Sequence, residues 1–468
     1  MILRKQRYRL FDSLAKMVWL PALALCGLAL SVPAQAVPSF ARQTGLPCTS
    51  CHTVFPELTA FGRTFKLHGY TLTGIKQISA QQSGSVGSLK INSIPPLSAM
   101  LQVSFTHVKK HASGPDSVQN DEVQFPQEFS LFYAGEISDH AGSFVQLTYE
   151  QASGNFGWDN SDIRYANTIA DSNITYGLTL NNAPGIQDLW NSGPVWSYPW
   201  SDPGDALPVG PTVSPFLSSE DFVALNSAGL GVYAMWNDAI YAELTAYRSA
   251  HVGTAAPNGG SVQTISNLAP YWRLAWQNTF GNGDSLMVGT YGMWARFHPG
   301  GVNGQTDFIG NGKTDRYLDT ALDAQYEHPI SDNGQSLSVH ASYTHEDQEI
   351  NSAGTSDSLG FNSAKVDGVY HFGSRATATL AYFNIAGDKG AYYPNYVNGD
   401  GDPLNPTATG AGSFNPDSSG WVAQAAYLPW ENTKLSVQYT VFSKLDGSSK
   451  SADTTDNNTL YLLAWFVF

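Results

Sequence analysis

From Leu97 to the terminal Phe468 the chain is written largely in period two, in segments of 8–13 residues whose apolar and polar positions alternate. Alternation at 180° per residue describes strands with one dry and one wet face. In Thr433 to Ser443, Leu435, Val437, Tyr439 and Val441 oppose Lys434, Ser436, Gln438 and Thr440. In Gln335 to Glu346, Leu337, Val339, Ala341 and Tyr343 oppose Ser338, His340, Ser342 and Thr344. In Arg316 to Glu327, Leu318, Leu322, Ala324 and Tyr326 oppose Asp319, Asp323 and Gln325. Sixteen such segments start near residues 97, 125, 142, 160, 172, 228, 238, 269, 284, 316, 335, 361, 374, 419, 433 and 458. A chain built this way has to stack its sheets or close one sheet on itself.

The connections favour closure. Short turns such as Ser138–Gly142, Phe280–Gly283, Gly373–Ser374 and Pro429–Asn432 alternate with mostly longer loops, for example 250–268, 297–315, 386–418 and 444–457. Transmembrane barrels of the bacterial outer membrane have this asymmetry, with short periplasmic turns and longer extracellular loops. Aromatics gather near strand ends as interface girdles, and the last segment ends on Phe468. An even strand count places both termini in the periplasm. A soluble sandwich or propeller would leave too many aliphatic and aromatic side chains on one face of each strand. The longest loop, roughly Asn181 to Ser227, carries Trp190, Trp196, Trp200 and several prolines. It is expected to fold into the lumen, wall a bound group or lie as a lid.

The N-terminus has Arg4, Lys5, Arg7, Arg9 and Lys16, then an apolar run from Met17 to Val32 broken by Pro21, then Ala34-Gln35-Ala36. This is the pattern of a signal peptide over 1–36. Cys26 falls inside it, behind Leu25, which argues against a lipoprotein site. Losing that segment takes five Lys/Arg and one Asp, moving the formal charge from −15 to −19. So acidic a chain is not a nucleic-acid binder.

Twelve residues past the expected cleavage site stands Cys48-Thr49-Ser50-Cys51-His52, holding both remaining cysteines. C-x-x-C-H is the c-type haem attachment pattern. The two thiols take the vinyl groups and His52 takes one axial position on iron. Residues 37–96 do not alternate and form the candidate haem head, with the barrel over 97–468. Pro56 to Leu67 reads as a short helix: Pro56 opens it, Leu58, Phe61 and Phe65 share one face against porphyrin, and Gly69 stops it. Arg42, Arg63 and Lys66 are candidate partners for haem propionates. His68 is the nearest candidate sixth ligand, with Met100, His107, His111 or an open position as alternatives. So small a head cannot enclose a haem unaided, which places it as a plug in the lumen. Asn398-Gly399-Asp400-Gly401-Asp402 looks like a calcium loop but lacks the closing Glu, and reads better as a turn.

The run Pro38-Ser39-Phe40-Ala41-Arg42-Gln43-Thr44-Gly45, the Cys48–His52 pentapeptide, Pro56-Glu57-Leu58, and Phe61 to Tyr70 together resemble the head of the fused cytochrome–porins. These are outer-membrane monohaem c-type cytochromes associated with Fe(II) oxidation. The match is dense over 38–70 and only architectural beyond. The resemblance implies one covalent haem c on Cys48, Cys51 and His52 and an electron path from outside the cell inwards. Oxidised iron is insoluble near neutral pH, so importing only the electron is advantageous. A single haem cannot reach both faces of a core about 30 Å thick and belongs in the lumen. The expected partners are extracellular Fe(II) or another reduced donor, a periplasmic cytochrome or cupredoxin, and outer-membrane lipid. Asp307, Asp315, Glu346, Asp347, Glu349, Asp400 and Asp402 are expected to gather cations at the loops. The rival readings are outward electron delivery, a solute porin with a haem plug or sensor, and a haem enzyme.

Overall fold

The computed structural model describes residues 39–72, 77–80, 89–92, 95–110, 120–150, 154–193, 214–219, 222–249, 264–281, 283–298, 313–331, 333–351, 357–388 and 415–468. The expected signal segment, His111, Trp196, Trp200, Asp307 and the 398–402 motif lie outside them.

Sixteen long antiparallel strands make one closed barrel, to which a two-residue strand, Thr264–Ile265, is added. The first four are β1 (Leu97–Val108), β2 (Glu122–Ser138), β3 (Ala141–Glu150) and β4 (Asn155–Ile169). Then come β5 (Ile174–Asn181), β6 (Ser227–Trp236), β7 (Ile240–Ser249) and β8 (Ala269–Thr279). The third quarter holds β9 (Ser285–His298), β10 (Asp315–Pro329), β11 (Gln335–Ile350) and β12 (Asp357–Phe372). The last holds β13 (Ala376–Gly387), β14 (Ser418–Trp430), β15 (Thr433–Lys444) and β16 (Thr459–Val467). All sixteen expected segments are present. β16 closes on β1, with Thr459 opposite Val108 and Val467 opposite Met100. Backbone bonds between Ala99 and Phe468 tie the terminus to that seam.

The alternation decides which way each side chain points. On β15, Leu435, Val437, Tyr439 and Val441 are 37–44% exposed while Lys434, Gln438 and Thr440 are at most 1% exposed. The apolar face therefore points outward, the reverse of a soluble sheet. The same holds for Leu178, Leu230, Leu244, Leu274, Leu322 and Leu380. Such a belt suits hydrocarbon. Trp236, Trp276, Phe372, Tyr427 and Trp430 stand outward beside the short turns, as a girdle at one interface requires. Among the described residues no helix is long and apolar enough to cross a membrane.

Residues 39–72 lie inside this wall. They form α1 (Ser39–Thr44), α2 (Cys48–Cys51) and α3 (Ala60–Leu67). The expected helix from Pro56 begins four residues late. Thr59 is its N-cap, its hydroxyl accepting from Gly62 N at 3.1 Å, while Pro56 belongs to the preceding turn. Gly69 and Tyr70, at φ 69° and 58°, end it. A strand pair, Gln77–Ala80 with Leu89–Asn92, follows where no alternation was read.

Asp315 and Glu346 differ from expectation. Both are buried on the lumen face of β10 and β11 rather than exposed on loops: Asp315 accepts from Asn351 N and Glu346 from Phe216 N.

Candidate functional site

The lumen segment is bound to the wall around the circumference. Ser39 Oγ and Gln43 Nε2 donate to Ala134 O on β2. Cys48 N donates to Glu431, in the short turn after β14, at 3.1 Å. On β15, Lys434 Nζ donates to Phe55 O at 3.0 Å. Arg63 pairs with Glu327 of β10 at 2.7 Å. Tyr233 of β6 donates to Leu67 O at 2.8 Å, and Tyr70 donates to Asp162 of β4 at 2.7 Å. Ala134, Glu431, Lys434 and Glu327 all lie toward the short-turn rim, so the segment plugs that end of the barrel.

The longest loop folds inward as well. Its α4 (Pro184–Gln187) is wholly buried. Asp188 and Asp323 share the guanidinium of Arg273 on β8, at 3.1 and 2.7 Å, and that guanidinium lies over Trp190. Lys66 Nζ donates to Asp188 O at 2.8 Å, joining loop and segment.

Plug, loop and wall line a partly open cavity of about 230 Å³. Cys48, Cys51 and His52 all line it. So do Phe61 and Phe65 of α3, Met100 and Trp465 of the wall, and Ile186 of the loop. Gly62 lets α3 close on α2: a Cβ there would meet Cys51 O at 2.3 Å. That contact sets the aromatic face of α3 beside the cysteines.

His52 Nδ1 donates to Glu57 O at 3.2 Å. This holds the ring and leaves Nε2 as the nitrogen available to a metal. Burial disfavours its protonated form. Burial and the Glu431 carboxylate push the Cys48 thiol up to about 11, and burial pushes Cys51 up. Cys48 and Cys51 are free of disulfide.

The remaining candidates are spread differently from the sequence expectation. His68 is absent from the cavity lining; its Nδ1 donates to Thr64 O at 2.8 Å at the end of α3. His107 stands near the opposite rim, paired with Asp121 at 2.6 Å. Met100, 1% exposed, lines the cavity, its sulfur 3.7 Å from Gln102 Nε2. Arg63 is committed to Glu327 and Leu58 O and lines neighbouring cavities. Arg42 is half-buried outside the lining, its Nε without a partner among the described residues. Lys66 does line the cavity. The residues present therefore fit a covalent porphyrin: two thiols, one oriented imidazole, aromatic walls, a thioether and a cation.

No protein-family model matches this chain, and no curated protein matches it. Among solved structures it is similar to outer-membrane barrels. Pseudomonas putida OprB in its high-pH structure has TM-score 0.47 and 12% identity, over 80% of this chain and 93% of that one. The outer-membrane channel DcaP of Acinetobacter baumannii has TM-score 0.46 and 13% identity, over 80% and 96%. The loop L8 deletion mutant of Vibrio cholerae OmpT has TM-score 0.45 and 12% identity, over 80% and 98%.

Proposed function

We propose that this porin-like barrel is an outer-membrane c-type cytochrome. It takes electrons from an extracellular donor, Fe(II), and passes them to a periplasmic cytochrome or cupredoxin. The observation that carries the reading is the lumen cavity lined jointly by Cys48, Cys51 and His52. The outward apolar belt supports the membrane setting. The short-turn rim, which carries the plug, is the periplasmic side; the long loops face outward.

Cys48 and Cys51 would hold one haem c through thioethers, and His52 Nε2 would hold its iron. Bound there, the group supplies a one-electron ferric/ferrous couple. Phe61, Phe65 and Trp465 exclude water around it, and Lys66 offers a cation to its carboxylates. Among the described residues, Met100 is the proposed sixth ligand on the cavity lining, and it replaces His68 as our assignment. Asp188 and Arg273 keep the loop wall in place.

The test is rapid mixing of oxidised, detergent-purified protein with Fe(II) while recording haem absorbance. Stoichiometric appearance of reduced c-type bands is expected. Reduction by dithionite but not by Fe(II) would remove the iron-oxidising reading and favour outward electron delivery.

A further inference from the structure

Beside the Cys48–His52 cavity lies a second, of about 90 Å³, which shares Leu58 and Asn191 with it. Three ligand-bearing residues meet on its lining. His340 on β11 and Asp367 on β12 are direct cross-strand partners, with Nδ1 and Oδ2 2.8 Å apart. Glu57 comes from the plug, its Oε1 3.7 Å from the same nitrogen. One ligand atom from each residue lies within 4.8 Å of the other two.

The charge does not balance internally. One imidazole Nδ1–H cannot serve two carboxylates, so an acceptor is left over whichever way the proton points. That acceptor is Glu57 Oε1, without a hydrogen-bond partner in a residue only 7% exposed. Its other oxygen is fixed by Thr53 Oγ1 at 2.9 Å. Burial raises the Glu57 carboxyl, as expected for a carboxylate short of donors. Nearby, Glu327 is already paired with Arg63. Lys365 lines the cavity, and the Lys434 ammonium, which donates to Phe55 O, is a cation that acts on the Glu57 carboxylate.

We propose that Glu57, His340 and Asp367 form a binding site for a divalent transition-metal ion inside the lumen. One imidazole and two carboxylates suit Fe(II), Mn(II) or Zn(II), and suit neither soft Cu(I) nor an all-oxygen Mg(II) site. Part of this set is tied to the haem-side histidine. The Glu57 backbone carbonyl orients His52 while its carboxylate faces His340. That the physiological ion is the Fe(II) donor rests on the function proposed above; the site itself does not.

The experiment titrates the purified full chain with Mn(II), following loss of the free-ion paramagnetic resonance signal, with calorimetry of Zn(II) alongside. One ion per chain is expected above weak surface binding. Asp367→Asn and His340→Gln should each weaken it roughly tenfold or more, with an unchanged far-ultraviolet circular dichroism spectrum certifying the barrel. No stoichiometric site in the native chain, or variants that bind as the native chain does, would overturn the proposal. Native protein that binds Mn(II) stoichiometrically but is not reduced by Fe(II) would keep the metal site and sink the iron-oxidising function.

Discussion

At the residue scale, chemistry and placement separate. Cys48, Cys51 and His52 stand out because the covalent attachment proposed for them needs a fixed spacing. A sixth ligand has no such constraint, since any side chain that the fold carries to the iron will serve. Sequence proximity favoured His68, but its imidazole is turned onto the helix end. Met100, on the first barrel strand, lines the cavity instead. We expect the oxidised protein to show a sulfur-to-iron charge-transfer band, lost in Met100→His together with a fall in midpoint potential, because a thioether axial ligand raises it. A native protein without that band, and a variant with unchanged potential, would count against Met100.

At the element scale, strands were legible and the inward elements were less so. Period two survives folding because each face of a barrel strand meets one solvent, lipid or lumen. α3 starts later than the first-turn position expected for Pro56 because the Thr59 hydroxyl supplies the N-cap, a local choice that periodicity does not report. The loop after β5 was open between lumen, haem wall and lid; the Arg273 pairing with Asp188 and Asp323, all at most 1% exposed, draws it inward. Removing one partner of a buried ion pair costs about 3–5 kcal/mol. Arg273→Met should therefore weaken hydrogen-exchange protection of residues 182–193 while leaving the strands unaffected. Unchanged protection would mean that Trp190 and α4 hold the loop without the charges.

At the scale of the whole molecule, sixteen strands would normally leave an aqueous channel. Here the plug occupies the lumen at the short-turn rim, and the inward loop meets it through Asp188 and Lys66. The native protein should pass little current across a planar bilayer, and deleting residues 39–72 should raise the conductance several-fold. Native conductance equal to that of the deletion would favour the solute-porin reading over electron transfer.

The sequence by itself determined the barrel and its strand number, and it carries the Cys48–His52 pentapeptide on which the proposed attachment rests. These are written in local spacing: two residues for a strand, three intervals for C-x-x-C and one more for its histidine. Only the tertiary structure decided what surrounds that chemistry. The encounter of Glu57 with His340 and Asp367, of Arg63 with Glu327, and of Met100 with the cysteines joins residues tens to hundreds of positions apart. Such contacts depend on barrel closure and on the register of neighbouring strands, and no local period encodes them.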